Sequence, residues 1–192
     1  MDGQFGSPFR ANAFKENNKV VISILGIGSD GKLDNTSNTL LKTNITEYLT
    51  EFRMVNDYVE VRDGRIFNLA FNIELFVNEN NDSQIANSVI STVSEYFNIN
   101  DHTMNEDVFL TPLIEAINNV TNVVNVLNIK AFNKIDGEYS VNPIEQTIID
   151  PTTGEIEIVN QTIYSAEDSM FEIKFPERDI KVLLRKKVNL GV

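Results

Sequence analysis

Residues 65–77 read RIFNLAFNIELFV, and the alternation in this stretch decides the fold. Phe67, Leu69, Phe71, Ile73, Leu75 and Val77 fall on one side of an extended chain, and Asn68, Ala70, Asn72 and Glu74 on the other. Only Phe76 breaks the pattern. Successive side chains of a strand point to opposite faces, so a period of two sustained this long reads as a strand. One apolar and one polar face imply a sheet covered by helices on one side and wetted on the other. Just upstream, Tyr58, Val59 and Val61 make a shorter strand, and Asp63-Gly64 is a turn dipeptide. The two strands are therefore expected to form a central hairpin.

Outward from this hairpin the pattern alternates between strand and helix. Lys19–Ile27 (KVVISILGI) is rich in β-branched residues and reads as a buried strand. Thr36 or Ser37 then caps a helix to about Phe52, with Leu41, Ile45, Tyr48, Leu49 and Phe52 on one stripe. Downstream, Asn81 or Asp82 caps a second helix whose apolar face carries Ile85, Ala86, Val89, Ile90, Val93, Tyr96 and Phe97. Thr111-Pro112 reads as a cap and first position of a short helix bearing Leu113, Ile114 and Ile117. Val120–Phe132 is strand again. The order β-α-β-β-α-(α)-β predicts an α+β fold with a ferredoxin-like core over residues 19–134.

The flanks differ in character. Residues 1–18 carry Gly3, Gly6 and Pro8 between isolated aromatics, Phe5, Phe9 and Phe14, and read as an arm or linker. Residues 135–192 read as a β extension. It comprises a hairpin from Tyr139–Ile149 and Glu155–Tyr164, then strands at 170–175 and 180–185 broken by Pro176. Such a segment is too small for a core of its own, so it must pack on the domain or on a neighbouring chain. The candidate contact residues are Phe5, Phe9 and Phe14 of the arm with Tyr139, Ile144, Ile156, Ile158 and Tyr164 of the extension.

Composition narrows the function. At 192 residues the chain can bury a sizeable core without covalent staples. A formal charge of −12 disfavours non-specific nucleic-acid binding, which needs clustered cations against phosphate. The one basic run, Arg185-Lys186-Lys187, reads as a solvated strand end. The sequence has no Cys, which excludes disulfides and thiolate chemistry. No apolar run reaches the roughly 18 residues of a membrane helix, and residues 1–14 lack the basic-then-apolar order of a signal peptide. The expectation is a soluble protein that binds neither nucleic acid nor membrane.

Motifs for chemistry are scarce. Gly26, Gly28 and Gly31 spell G-x-G-x-x-G after the first strand, but the helix starts too late and Asp30 places a negative charge where phosphate would sit. Asn78, Asn80 and Asp82 have the spacing of half a calcium loop, yet Ser83 replaces its Gly and Val89 its bidentate Glu. His102, the single histidine, sits beside Asp101 in a polar loop and reads as a surface residue. No paired carboxylates, nucleophile elbow or zinc signature stands out. The reading is of a non-enzyme with no catalytic residue, metal or cofactor. The alternative is a small ligand-binding or regulatory domain using the Gly26–Gly31 loop.

Several stretches, taken in order, resemble a known family. They are Val20–Gly28, LLKTNITEYLTEFRMVNDYVEVRDGRIFNLAFNIELFV (Leu40–Val77), SEYF (Ser94–Phe97), VFLTPLIEAINNVTNVVNV (Val108–Val126) and FEIKFPERDIKV (Phe171–Val182). Together they are similar to the C-terminal part of phage baseplate wedge proteins of the baseplate J-like group, the large wedge subunits of T4-type contractile tails. Relatives commonly place a Gly-Val pair before the last core strand, where this chain has Asn122-Val123. The large N-terminal portion of those subunits has no counterpart here, which implies a truncated form or a compact relative. The resemblance implies a structural subunit without enzyme activity. Its partners would be other baseplate wedge proteins and further copies of itself, as a homodimer or higher oligomer. Its place would be the virion tail baseplate, and the host cytoplasm during assembly.

Overall fold

A computed structural model describes residues 7–36, 39–51, 58–78, 81–149, 153, 155–158 and 161–186. In chain order the elements are β1 (Arg10–Glu16), β2 (Lys19–Ile27), β3 (Leu33–Asp34), α1 (Thr39–Thr50), β4 (Tyr58–Asp63), β5 (Arg65–Val77), α2 (Asp82–Tyr96) and β6 (Val108–Phe109). There follow α3 (Leu110–Asn118), β7 (Val123–Lys134), β8 (Thr147–Ile149), β9 (Ile156–Ile158), β10 (Thr162–Ile163), β11 (Ser169–Glu172), α4 (Pro176–Asp179) and β12 (Ile180–Lys186). The α+β class holds. The chain divides into two units interleaved along the sequence, rather than at residues 18 and 134. The first takes residues 1–66, 102–106 and 165–170, and the second takes the rest.

In the first unit β2 is central. β1 pairs with it antiparallel from Arg10↔Leu25 to Glu16↔Lys19, so this part of the expected arm is a strand. The connection turns at Asn17, whose φ of 55° lies in the left-handed region that Asn tolerates better than most residues. On the other side β4 pairs parallel with β2, and α1 makes the crossover that parallel neighbours require. Val21, Ile24, Leu25, Leu33, Ile45 and Ile66 are buried in this unit, whereas Tyr48 on the expected helix stripe is half exposed. Ser37 and Phe52, proposed as cap and stripe residue, lie outside the described residues.

The central hairpin does not form, because β4 pairs with β2 and β5 belongs to the other sheet. Gly64 shows why. Its N–H donates to the Ile24 carbonyl at 2.8 Å, continuing the β2 ladder, and the next N–H, of Arg65, donates to the Asp168 carbonyl at 2.7 Å. A Cβ at Gly64 would stand 2.8 Å from both Leu25 and Met104 side-chain atoms. Glycine is there for close approach, not for a turn. The four core strands therefore split between two sheets, and a single ferredoxin-like sheet is not built.

The second unit holds a six-stranded sheet in the order β11-β5-β7-β9-β8, with β12 also on β5. β12 runs parallel to β5 from Ile180↔Phe71 to Lys186↔Val77, and β7 runs antiparallel on its other side. The apolar face of β5 meets the helices: Phe71 and Phe97 have ring centroids 5.2 Å apart, and Ile85, Val89 and Val93 of α2 are buried. Leu113 and Ile117 of α3 are buried as well. Helix α3 begins at Leu110, so Pro112 is its third residue, and Phe109 rather than Thr111 occupies the cap position. Pro is still tolerated, since first-turn N–H groups have no helical acceptor. Strand β7 starts at Val123, after Asn122 at φ 71°. Two register shifts against β5 leave Leu127 and Val124 unmatched, and they are 50% and 45% exposed. Residues 135–192 supply β8, β9, β10 and β12, so they build this unit's sheets rather than append to them.

Candidate interaction surface

The predicted contact residues divide between the two units. Phe5 lies outside the described residues. Phe9 and Phe14 belong to the first unit, each half-buried beneath a guanidinium, Arg10 over Phe9 at 4.2 Å and Arg62 over Phe14 at 5.2 Å. In the second unit Ile144 and Ile158 are 2% and 5% exposed, which commits them to the chain's own core and corrects their assignment to a contact surface. Ile156 and Tyr139 are half-buried, and Tyr164 is exposed.

Sequence reasoning missed several exposed apolar residues of the second unit: Phe109, Val124, Leu127, Ile148, Ile149 and Leu183. Leu183 was findable, because it shares a strand face with Lys181 and Arg185. Val124 and Leu127 were not, since a bulge depends on register with a distant strand. Leu110, Ile114, Leu127 and Ile158 line a groove of about 330 Å³ between α3, β7 and β9. A second groove of about 390 Å³ lies on the polar face of the sheet, lined by Asn72, Glu74, Asn128, Lys130, Lys181 and Leu183. Cations on this face are paired: Lys130 with Glu157 at 2.9 Å, Lys134 with Glu155 at 2.8 Å and Arg185 with Glu74 at 2.6 Å.

At the end of this sheet, residues 135–146 are held by side chains of both central strands. The Ser140 N–H donates to Asn68 Oδ1 at 2.8 Å and the Ile144 N–H to Asn133 Oδ1 at 2.9 Å. Asn68 Nδ2 in turn donates to the buried Glu172 carboxylate at 3.2 Å. Tyr139 donates its O–H to Asp179 at 2.5 Å and accepts from Arg178 at 2.9 Å. Burial and the Asp179 carboxylate raise the Tyr139 pKa above its ordinary value, against the opposing pull of Arg178.

The remaining chemical candidates resolve into structural roles. In the glycine loop the Gly28 N–H donates to the Lys32 carbonyl at 2.8 Å and the Gly31 N–H to the Gly28 carbonyl at 3.0 Å. The Lys32 N–H is taken by the Asp30 carboxylate at 3.1 Å. Those donors are spent within the loop, and β3 follows it instead of a helix, so it is not a phosphate cradle. Asn80 lies outside the described residues, and Asp82 pairs with Lys186 at 2.5 Å. His102 is half-buried: its side chain is 21% exposed, with Nδ1 3.1 Å from Glu106. Burial alone would raise the Glu106 pKa, but the Thr103 N–H and His102 together hold it below the ordinary value. Among the described residues no group of three His, Cys, Asp or Glu is arranged to hold a metal ion, and no helix is long and apolar enough to cross a membrane.

Against known proteins the chain finds its matches among solved structures. No protein-family model and no curated protein matches it. Among solved structures it is similar to a chain of the cryo-EM structure of the anti-feeding prophage (AFP) baseplate, 6-fold symmetrised, with a TM-score of 0.30 and 11% identity. That match covers 89% of this chain and 39% of the baseplate chain, so this chain spans well under half its length.

Proposed function

We propose that the chain is a structural subunit of a contractile-tail baseplate, of the wedge type in the J-like group, that works through protein contacts and catalyses no reaction. The observation that carries the reading is the ordered set of segments similar to that group, including its turn before the last core strand. Where relatives place Gly, this chain has Asn122 at φ 71°, a conformation that Gly and Asn share at low cost. On this reading the partners are other wedge subunits and further copies of the chain, and the setting is the virion tail. Phe109, Val124, Leu127, Ile148, Ile149 and Tyr164, exposed on the second unit, are its contact residues.

Native mass spectrometry at several concentrations tests the proposal. The expected result is a mass at an integer multiple of the 21.7 kDa chain, without adducts, reduced to monomer by Leu127→Lys with Ile149→Lys. A monomer carrying a small-molecule adduct would overturn it. An oligomer indifferent to both substitutions would remove those residues from the interface.

A further inference from the structure

We infer that residues 135–146 are a releasable strap, latched by Tyr139, whose opening is a local event separate from unfolding of the sheet. These twelve residues contain no helix or strand. Holding them in place opposes the conformational entropy of a long irregular segment, yet Ile144 is their one fully buried apolar side chain. Apart from the Tyr139 ring against Phe175, the rest of the attachment is polar. Two backbone N–H groups are accepted by the side chains of Asn68 and Asn133, and Arg178 pairs with Glu138 at 2.6 Å on the exposed side. Each of these bonds exchanges readily for water when the strap lifts, so release sacrifices little apolar burial.

What lies beneath is suited to both states. Asn68, Asn133 and Glu172 are 1%, 2% and 2% exposed, a buried polar group within the sheet. Closed, they are bonded to the strap and to one another, with Asn133 Nδ2 donating to the Asn68 carbonyl at 3.3 Å. Open, they are the residue types that hydrate without penalty, whereas an aliphatic face would not. The near end of the strap turns at Asp136 and Gly137, with φ of 66° and 65°, which places its pivot directly after β7. The latch is the phenol of Tyr139, lodged between Asp179 and Arg178 and edge-on to the Phe175 ring at 5.8 Å.

Amide hydrogen exchange on the intact chain, followed by NMR, tests this directly. The Ser140 and Ile144 amides are expected to exchange at least about 100-fold faster than those of β5 and β7, through an opening insensitive to low denaturant. Tyr139→Phe keeps the ring and removes the latch; it should speed strap exchange about tenfold, with the strap opening still insensitive to low denaturant. Strap amides that exchange at the rate of the sheet would overturn the inference. So would a Tyr139→Phe variant whose strap amides exchange no faster than those of the unmutated chain.

Discussion

The two halves of β5 are built from the same alternating pattern but end in different surroundings. From Phe67 to Phe71 every residue is buried, so both faces are covered. From Asn72 onward only Ile73, Leu75 and Val77 are buried, and Asn72 and Glu74 line an open groove. The polar residues are of the same kind, Asn68 in one half and Asn72 in the other. What separates them is a segment some seventy positions later, whose Ser140 N–H lands on Asn68 (|i−j| of 72). Alternation shows which face meets the helices. It does not show whether the opposite face meets water or the chain's own later residues.

Removing Phe71 is the largest way to break the strand, because its ring is fully buried. Phe71→Ala should cost about 3–5 kcal/mol in urea unfolding, through lost burial and the cavity left behind. Asn68→Ala should cost about 1–3 kcal/mol, since it deprives the Ser140 N–H of its acceptor and Glu172 of a donor. A smaller, pH-dependent effect comes from the latch. Its raised pKa means that Tyr139 contributes stability below the ordinary tyrosine value of 10.0, lost as pH rises through the higher folded value. Wild type should therefore exceed Tyr139→Phe by about 1 kcal/mol at neutral pH, with the gap closing in strong alkali; a pH-independent difference in thermal melts would refute the latch. Asn72→Ala should change stability by no more than about 0.5 kcal/mol. If it costs as much as Asn68→Ala, the contrast between the two halves fails.

Much of the element content was legible, because amphipathic periods are local. Strand β5, helix α2 with Ile85, Val89 and Val93, and the strand at Lys19–Ile27 all form where their patterns lie. Pairing was less legible. Asp63-Gly64 carries a hairpin signal, yet Gly64 serves close packing against Leu25 and Met104, a requirement set by residue 104 that no local window contains. Glycine and proline within 1–18 suggested an arm, but Arg10–Glu16 finds a strand partner in β2. The exposed apolar residues proposed as contacts were the least legible. Ile144 and Ile158 look like any apolar strand residues, and only the folded chain shows that they face inward, while the bulged Leu127 and Val124 face out.

Interleaving of the two units has a consequence for the order of synthesis. Arg65 of the first unit waits for Asp168, with which it pairs at 2.6 Å across a sequence separation of 103, and Arg62 waits for the same carboxylate. Segments 102–106 and 165–170 must also return before that unit is complete. A nascent chain emerging from the ribosome therefore cannot complete this unit until residue 170 has been translated. Its early strands spend that interval with buried-type residues such as Ile24 and Leu25 unprotected, so chaperone occupancy should persist until residue 170 clears the exit tunnel.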